Sequence, residues 1–274
     1  ADGHASAPVP SVRPGAMSFV DLAPDHRLFY QSFEGREDRP WLIFLHEGLG
    51  SVAQWKNFPE RICRRTDCPA LLYDRPGHGR SPARPGQRDP HYLHDLARDE
   101  LPRLLAALIP EQDYILIGHS DGGSIALIHA ADQPAHLRGL VTIAAHAFVE
   151  PCTLEGIRKA KESFAQGRMV GLTRYHGDPT ETLFRTWADT WLSPAFADWS
   201  IIDLLPRVQV PVIVLQGRDD QYGSPAQVDA IVAGVGGPAT PLVLDDCGHA
   251  PHFDFPALLL DLTSCFVNRV RVFG

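Results

Sequence analysis

Short apolar runs recur along the chain, spaced so that a helix fits between most of them. Trp41–His46 (WLIFLH), Pro69–Asp74 (PALLYD) and Tyr114–His119 (YILIGH) are nearly continuous in apolar character. So are Leu137–Ala145, Val210–Gly217 and Thr240–Asp246. Such runs are expected of strands in a sheet covered on both faces. Arg27–Phe33 alternates instead and predicts an early antiparallel strand. Helical periodicity fills Ala53–Arg65, His91–Leu108, Gly123–Ala131, Pro225–Val235 and Phe255–Val270. Strands alternating with helices predict an α/β fold, with a mostly parallel central sheet of about eight strands flanked by helices.

The alternation stops between Phe148 and Leu205, where no strand pattern occurs. That stretch holds about a third of the aromatic residues, among them Phe164, Phe184, Trp187, Trp191, Phe196 and Trp199. It reads as a helical insertion over one end of the sheet. Most of its aromatic rings are expected to build its own small core, and a minority to line a ligand cavity beneath it. The expected organisation is a flexible segment at 1–17, core at 18–147, a helical lid at 148–205 and core again at 206–274.

Composition narrows the function classes. With 274 residues, 44% hydrophobic and 21% charged, the chain has the balance of one large globular domain. A net charge of −8 disfavours nonspecific nucleic-acid binding. No apolar run reaches the roughly 18–20 residues that span a bilayer. The opening stretch ADGHASAPVPSVRPG lacks the pattern of an intact signal peptide and is expected to be flexible. The five cysteines, Cys63, Cys68, Cys152, Cys247 and Cys265, have no disulfide-framework spacing, and no second pair joins Cys63 and Cys68 to complete a zinc site. Free thiols in a reducing compartment make a cytoplasmic location the expectation.

The chemistry concentrates at Gly118-His119-Ser120-Asp121-Gly122, a G-x-S-x-G pattern with a strand before it and a small-residue helix after it. Glycines at both ends permit a turn tight enough to expose Ser120 at the strand's carboxyl end, where ligands bind in open α/β sheets. A serine hydroxyl needs a base, and the base needs an orienting acid. Downstream, Asp219 and Asp220 follow the strand ending at Gly217, and His249 follows the strand Thr240–Asp246.

In these motifs and their order the chain resembles the α/β-hydrolase superfamily, in particular its lid-bearing esterase, lactonase and carbon–carbon hydrolase branches. The resemblance runs from about Leu28 to the end. It implies the α/β-hydrolase fold and a triad of Ser120, Asp220 and His249, with Asp219 the rival acid and His252 the rival histidine. Its oxyanion hole would use the amide of Asp121 and, from the segment His46-Glu47-Gly48-Leu49-Gly50, that of Gly48, with Leu49 as the fallback. Glu47 stands where the superfamily usually has glycine. Glu47, Leu49, His146, Trp187 and Trp191 are the expected substrate contacts. Asp74–Ser81 matches a loop to which structural work is assigned.

No phosphate loop is present, and His46-Glu47 is not completed to a H-E-x-x-H metal motif, so neither cofactor nor metal is expected. The leading expectation is a serine hydrolase of a small carboxylic ester, thioester or lactone, apolar or aromatic in its acyl part, with the lid offering a surface for a homodimer. Carbon–carbon hydrolysis of a diketone and cofactor-free peroxidase chemistry keep the same triad. A noncatalytic small-ligand receptor on this fold is the reading from another class. Dehalogenase chemistry is disfavoured, since that branch carries aspartate where Ser120 stands.

Overall fold

The computed structural model describes residues 15–86 and 88–273. Among them, eight strands form one sheet: β1 (Met17–Ala23), β2 (His26–Phe33), β3 (Trp41–Leu45), β4 (Ala70–Tyr73), β5 (Tyr114–His119), β6 (Leu137–Ile143), β7 (Val212–Gly217) and β8 (Ala239–Leu244). Their spatial order is β1-β2-β4-β3-β5-β6-β7-β8. β2 is antiparallel to β1 and β4, and the remaining pairs are parallel.

The helices are α1 (Phe58–Thr66), α2 (Tyr92–Asp95), α3 (Leu101–Leu108), α4 (Asp121–Ala131), α5 (Pro151–Ala165), α6 (Thr173–His176), α7 (Thr180–Leu192), α8 (Ala226–Gly234), α9 (Pro251–Asp254) and α10 (Pro256–Phe273). Strand side chains alternate between two apolar layers. Ile43 and Leu45 of β3 join Leu101 and Leu104 of α3, Ile125 and Ile128 of α4, and Ile231 of α8. Leu42 and Phe44 point the other way, to Phe58 and Ile62 of α1 and Leu259, Leu260 and Val267 of α10. Both faces being covered explains why the central strands read as unbroken apolar runs.

Three local differences from the sequence reading have physical causes. β1 had no strong signal because it lies at the sheet edge with Val20 as its only buried residue. The helix expected over Ala53–Arg65 is split into a 3-10 turn at Ala53–Trp55 and α1, because Lys56 adopts φ 53° and Pro59 opens the second helix. The helix expected over His91–Leu108 carries a π turn at Leu96–Glu100, where the Leu101 amide reaches back to Leu96 O. Pro102 follows at once and has no N–H to donate, and Ala97 O is met instead by His129 Nδ1 at 3.1 Å.

Of the expected flexible segment 1–17, residues 1–14 lie outside the described residues, and its last two residues are held against β2. Ala16 N–H donates to Ser32 Oγ at 3.2 Å, and Met17 pairs with Gln31.

After β6 the chain makes an excursion through α5, α6 and α7. It leaves and returns side by side: Phe148 forms an isolated bridge with Ser200, and Ile201 N–H donates to Ala147 O at 2.8 Å. Phe164 stacks on Phe184 at 4.2 Å, and Phe196 on Trp199 at 5.5 Å, so much of the aromatic content packs within the excursion itself.

Candidate active site

Because β3, β5, β7 and β8 run parallel, the loops after their carboxyl ends meet on one edge of the sheet. Ser120 stands between β5 and α4 with φ 54° and ψ −117°, a conformation that costs a non-glycine residue of order 1–3 kcal/mol. The turn is fixed from both sides. Ser120 N–H donates to Ile143 O at 2.8 Å, and Ser120 O receives the amides of Gly123 and Ser124. A Cβ on Gly122 would run into the Leu45 carbonyl, so the close approach of α4 to β3 requires glycine there.

Of the two neighbouring aspartates, Asp220 is the one that meets His249. His249 Nδ1 lies 2.9 Å from Asp220 Oδ1 and 2.8 Å from Oδ2. Tyr222 N–H donates to Oδ1 at 2.8 Å, and Gln216 Nε2 to Oδ2 at 3.2 Å. The rival Asp219 is exposed, its amide turned to Cys247 O. His252, the other histidine considered, packs between the rings of Trp55, Phe58 and His119, away from Asp220.

Burial would raise the Asp220 carboxyl, but the His249 charge and the donated hydrogen bonds outweigh it and hold the group below its ordinary value. Burial would likewise depress the His249 imidazole. The Asp220 carboxylate, with Glu47 and Asp121 nearby, reverses this and raises it.

The loop after β3 is held by its carbonyls. Arg75, 2% exposed, donates from Nη1 to His46 O at 2.6 Å and from Nη2 to Glu47 O at 2.8 Å. His78 Nε2 meets Gly48 O at 2.9 Å, and His176 Nε2 meets Leu49 O at 2.7 Å. In a trans peptide the N–H points opposite to the C=O before it. Anchoring the carbonyls of Glu47 and Gly48 on one side therefore turns the amides of Gly48 and Leu49 to the other. Neither of these amides, nor that of Asp121 at the start of α4, donates to a group among the described residues. Burial, with the Arg75 charge, pushes His46 and His78 well below the ordinary imidazole value.

The Asp121 side chain accepts from Tyr92 Oη at 2.7 Å, and Tyr92 Oη in turn accepts from Trp191 Nε1 at 2.8 Å. The carboxylate is thereby tied to α7 through one phenol.

A cavity of about 120 Å³ collects these groups. Glu47, Gly48, Leu49, Ser120, Asp121, His146, Trp187, Trp191 and His249 all line it, while Asp220 stands behind His249. Sequence reasoning missed the other lining residues, Thr153, Ile157, Met169, Leu172 and Tyr222. Tyr222 had a weak signal in its place two residues after Asp220; the rest had none. Gly48 is tight against α7, for a Cβ there would lie 2.6 Å from Trp187 Nε1. His146 Nε2 meets Tyr222 O at 2.7 Å, and its ring packs edge-on against Trp191. A second opening of about 290 Å³ lies across Glu47 and His249, which line both spaces, and includes His119, Lys56 and Tyr175.

Sheet, elbow and site define an enzyme of hydrolase type. The model of the alpha/beta hydrolase family matches residues 42–262, and the chain belongs to that family. Among curated proteins it is 32% identical over 167 residues to the 2-succinyl-6-hydroxy-2,4-cyclohexadiene-1-carboxylate synthase of Enterobacter sp. (strain 638), covering 60% of this chain and 56% of that one. The chain thus spans a little over half the length of that relative. The Serratia proteamaculans (strain 568) protein of the same name is 26% identical, over 86% of this chain and 96% of its own. Among solved structures, VinJ superposes with TM-score 0.68 at 25% identity, covering 94% of this chain and 100% of VinJ. A bacterial membrane phospholipase A superposes with TM-score 0.75 at 20% identity, covering 93% and 86%, a likeness of fold alone. Among the described residues no helix is long and apolar enough to cross a membrane.

Proposed function

We propose that the protein hydrolyses a small, uncharged carboxylic ester, thioester or lactone through a Ser120–His249–Asp220 triad. The observation that carries this reading is Ser120, strained at the elbow, sharing one cavity with a histidine whose far nitrogen is held by both oxygens of Asp220. In this mechanism His249 takes the proton of Ser120 as its oxygen attacks the carbonyl. The amides of Gly48 and Asp121 receive the developing oxyanion, and His249 then returns the proton to the leaving group. Water activated by His249 hydrolyses the acyl-enzyme. The excursion at 148–205 acts as the lid, with Trp187 and Trp191 of α7 roofing the acyl site.

Size and charge support the substrate class. An apolar cavity of about 150 Å³ holds one benzene ring, so about 120 Å³ suits a short or compact acyl group. Leu49, Ile157, Met169 and Leu172 supply its apolar wall, and among the described residues no lysine or arginine lines it, whereas Glu47 and Asp121 do. The compound in the relatives' name bears two carboxyl functions, and burying either beside those carboxylates would be costly. The charge of this cavity therefore argues against that compound as the ligand of this chain.

The test is a series of p-nitrophenyl esters graded in acyl length, with Ser120→Ala as control. Turnover should peak at acetyl to butyryl, fall for longer chains and vanish in the variant. Turnover that rises with chain length, or that survives Ser120→Ala, would defeat the proposal.

A further inference from the structure

Three side chains at the boundary between the two openings form a set of their own. One ligand atom from each of Glu47, His119 and His249 lies within 4.8 Å of the others, and all three line the outer opening. Two imidazoles and a carboxylate are a donor set suited to Zn²⁺.

The way the two rings are held separates this set from chance proximity. A metal-bound imidazole almost always commits its second ring N–H to a carboxylate or a backbone carbonyl, which fixes its tautomer and aims its lone pair. Both rings already have that arrangement. His249 Nδ1 is held by Asp220 at 2.8 Å, and His119 Nε2 meets the His249 carbonyl oxygen at 2.8 Å. A carbonyl only accepts, so Nε2 of His119 carries the proton and Nδ1 the lone pair. In His249 the lone pair is likewise on Nε2. Among the described residues neither remaining nitrogen has a hydrogen-bond partner. Glu47 is half-buried, with its backbone fixed by Arg75 while its side chain reaches the opening. Tetrahedral Zn²⁺ with bonds of about 2.0–2.2 Å places its ligand atoms roughly 3.3–3.6 Å apart. Reaching that spacing from within 4.8 Å requires the three side chains to draw together, and the Glu47 carboxylate, unlike the two rings, is held by no hydrogen bond among the described residues.

We propose that Glu47, His119 and His249 bind Zn²⁺, with a water from the outer opening as fourth ligand, and that the bound ion inhibits the enzyme. Inhibition follows because the ion occupies the His249 nitrogen that would accept the proton of Ser120. Binding itself is independent of the hydrolase reading; the inhibition rests on it.

The experiment titrates the full chain with Co²⁺, read by its tetrahedral visible bands, then displaces it with Zn²⁺. Stoichiometry should be one ion per chain, unchanged in Ser120→Ala and in Cys152→Ser/Cys265→Ser. Glu47→Gln and His119→Gln should each weaken Zn²⁺ by at least about tenfold. Should His119→Gln fail to fold, Glu47→Gln, at a half-buried position, still decides. Absence of tetrahedral bands at millimolar Co²⁺, or unchanged affinity in Glu47→Gln, would overturn the site. In a second arm, Zn²⁺ should slow phosphonate labelling of Ser120 in the wild type. Binding without slowed labelling would overturn the inhibition. A protein that binds Co²⁺ but is never labelled would defeat the triad reading while leaving the metal site standing.

Discussion

Arg75 is the residue whose replacement most directly probes how the proposed oxyanion loop is built. It is buried, and its guanidinium makes two hydrogen bonds to consecutive loop carbonyls, those of His46 and Glu47. Arg75→Lys keeps the charge near Asp121 but replaces a planar fork with a point donor on a shorter stem. One carbonyl bond is lost, and hydrogen bonds to charged groups contribute about 1.5–3 kcal/mol each, so stability should fall by about that amount. Glu47 O retains His46 Nδ1 at 2.7 Å and the Gly50 amide at 3.1 Å, so the loop loosens without collapsing. Removing an oxyanion donor outright lowers kcat by about 10²–10³; for a donor loosened but present, a fall of roughly 10–100-fold is expected. KM should change little, because the donors act mainly on charge that develops in the transition state. Urea unfolding and steady-state kinetics on an aryl acetate measure both quantities. A variant with kcat within threefold of wild type and stability within about 0.5 kcal/mol would refute the clamp, since that is the ordinary range of surface substitutions.

Further outcomes follow from the same geometry. Asp220→Asn should lower kcat by several orders of magnitude and Asp219→Asn hardly at all, since only Asp220 meets His249; comparable losses would reassign the acid. The His249 imidazole is raised by neighbouring carboxylates, and the base must be unprotonated to act. The acidic limb of the kcat/KM profile should therefore lie above the ordinary imidazole value near 6.5. Glu47→Gln removes one of those carboxylates and should move this limb to lower pH; a limb that stays put would show that Glu47 has no electrostatic hold on the base. Ser120→Gly should abolish turnover yet raise the melting temperature, because strain of order 1–3 kcal/mol at φ 54° is relieved against about 0.5–1 kcal/mol of added chain entropy; a lower melting temperature would mean the turn stores no strain.

How much of this was legible in the sequence depended on the range of each interaction. The inner strands were readable because residues such as Leu42 and Ile43 are buried on opposite faces, leaving an unbroken apolar run. β1 was not, since an edge strand with one buried side chain needs no pattern. The π turn before Pro102 escaped because periodicity over one turn cannot separate a five-residue from a four-residue closure. In the site, Ser120, Asp220 and His249 stood out because each follows a strand end. Asp121 was conspicuous, but its partner was not. Tyr92 lies 29 residues away on another helix, and no local pattern joins them. Arg75 was likewise visible only as part of a turn. Its reach to the carbonyls of His46 and Glu47 depends on β3 and β4 lying side by side.

The central claim is that Ser120 is the nucleophile of a triad completed by His249 and Asp220. The most direct measurement is intact-protein and peptide mass spectrometry after reaction with a fluorophosphonate. The account predicts one adduct per chain, located on Ser120, formed at least about 100-fold more slowly in His249→Ala, a lower bound beside the larger losses in turnover when a triad member is removed. A folded wild-type protein that remains unlabelled, or an adduct on any other residue, would contradict it.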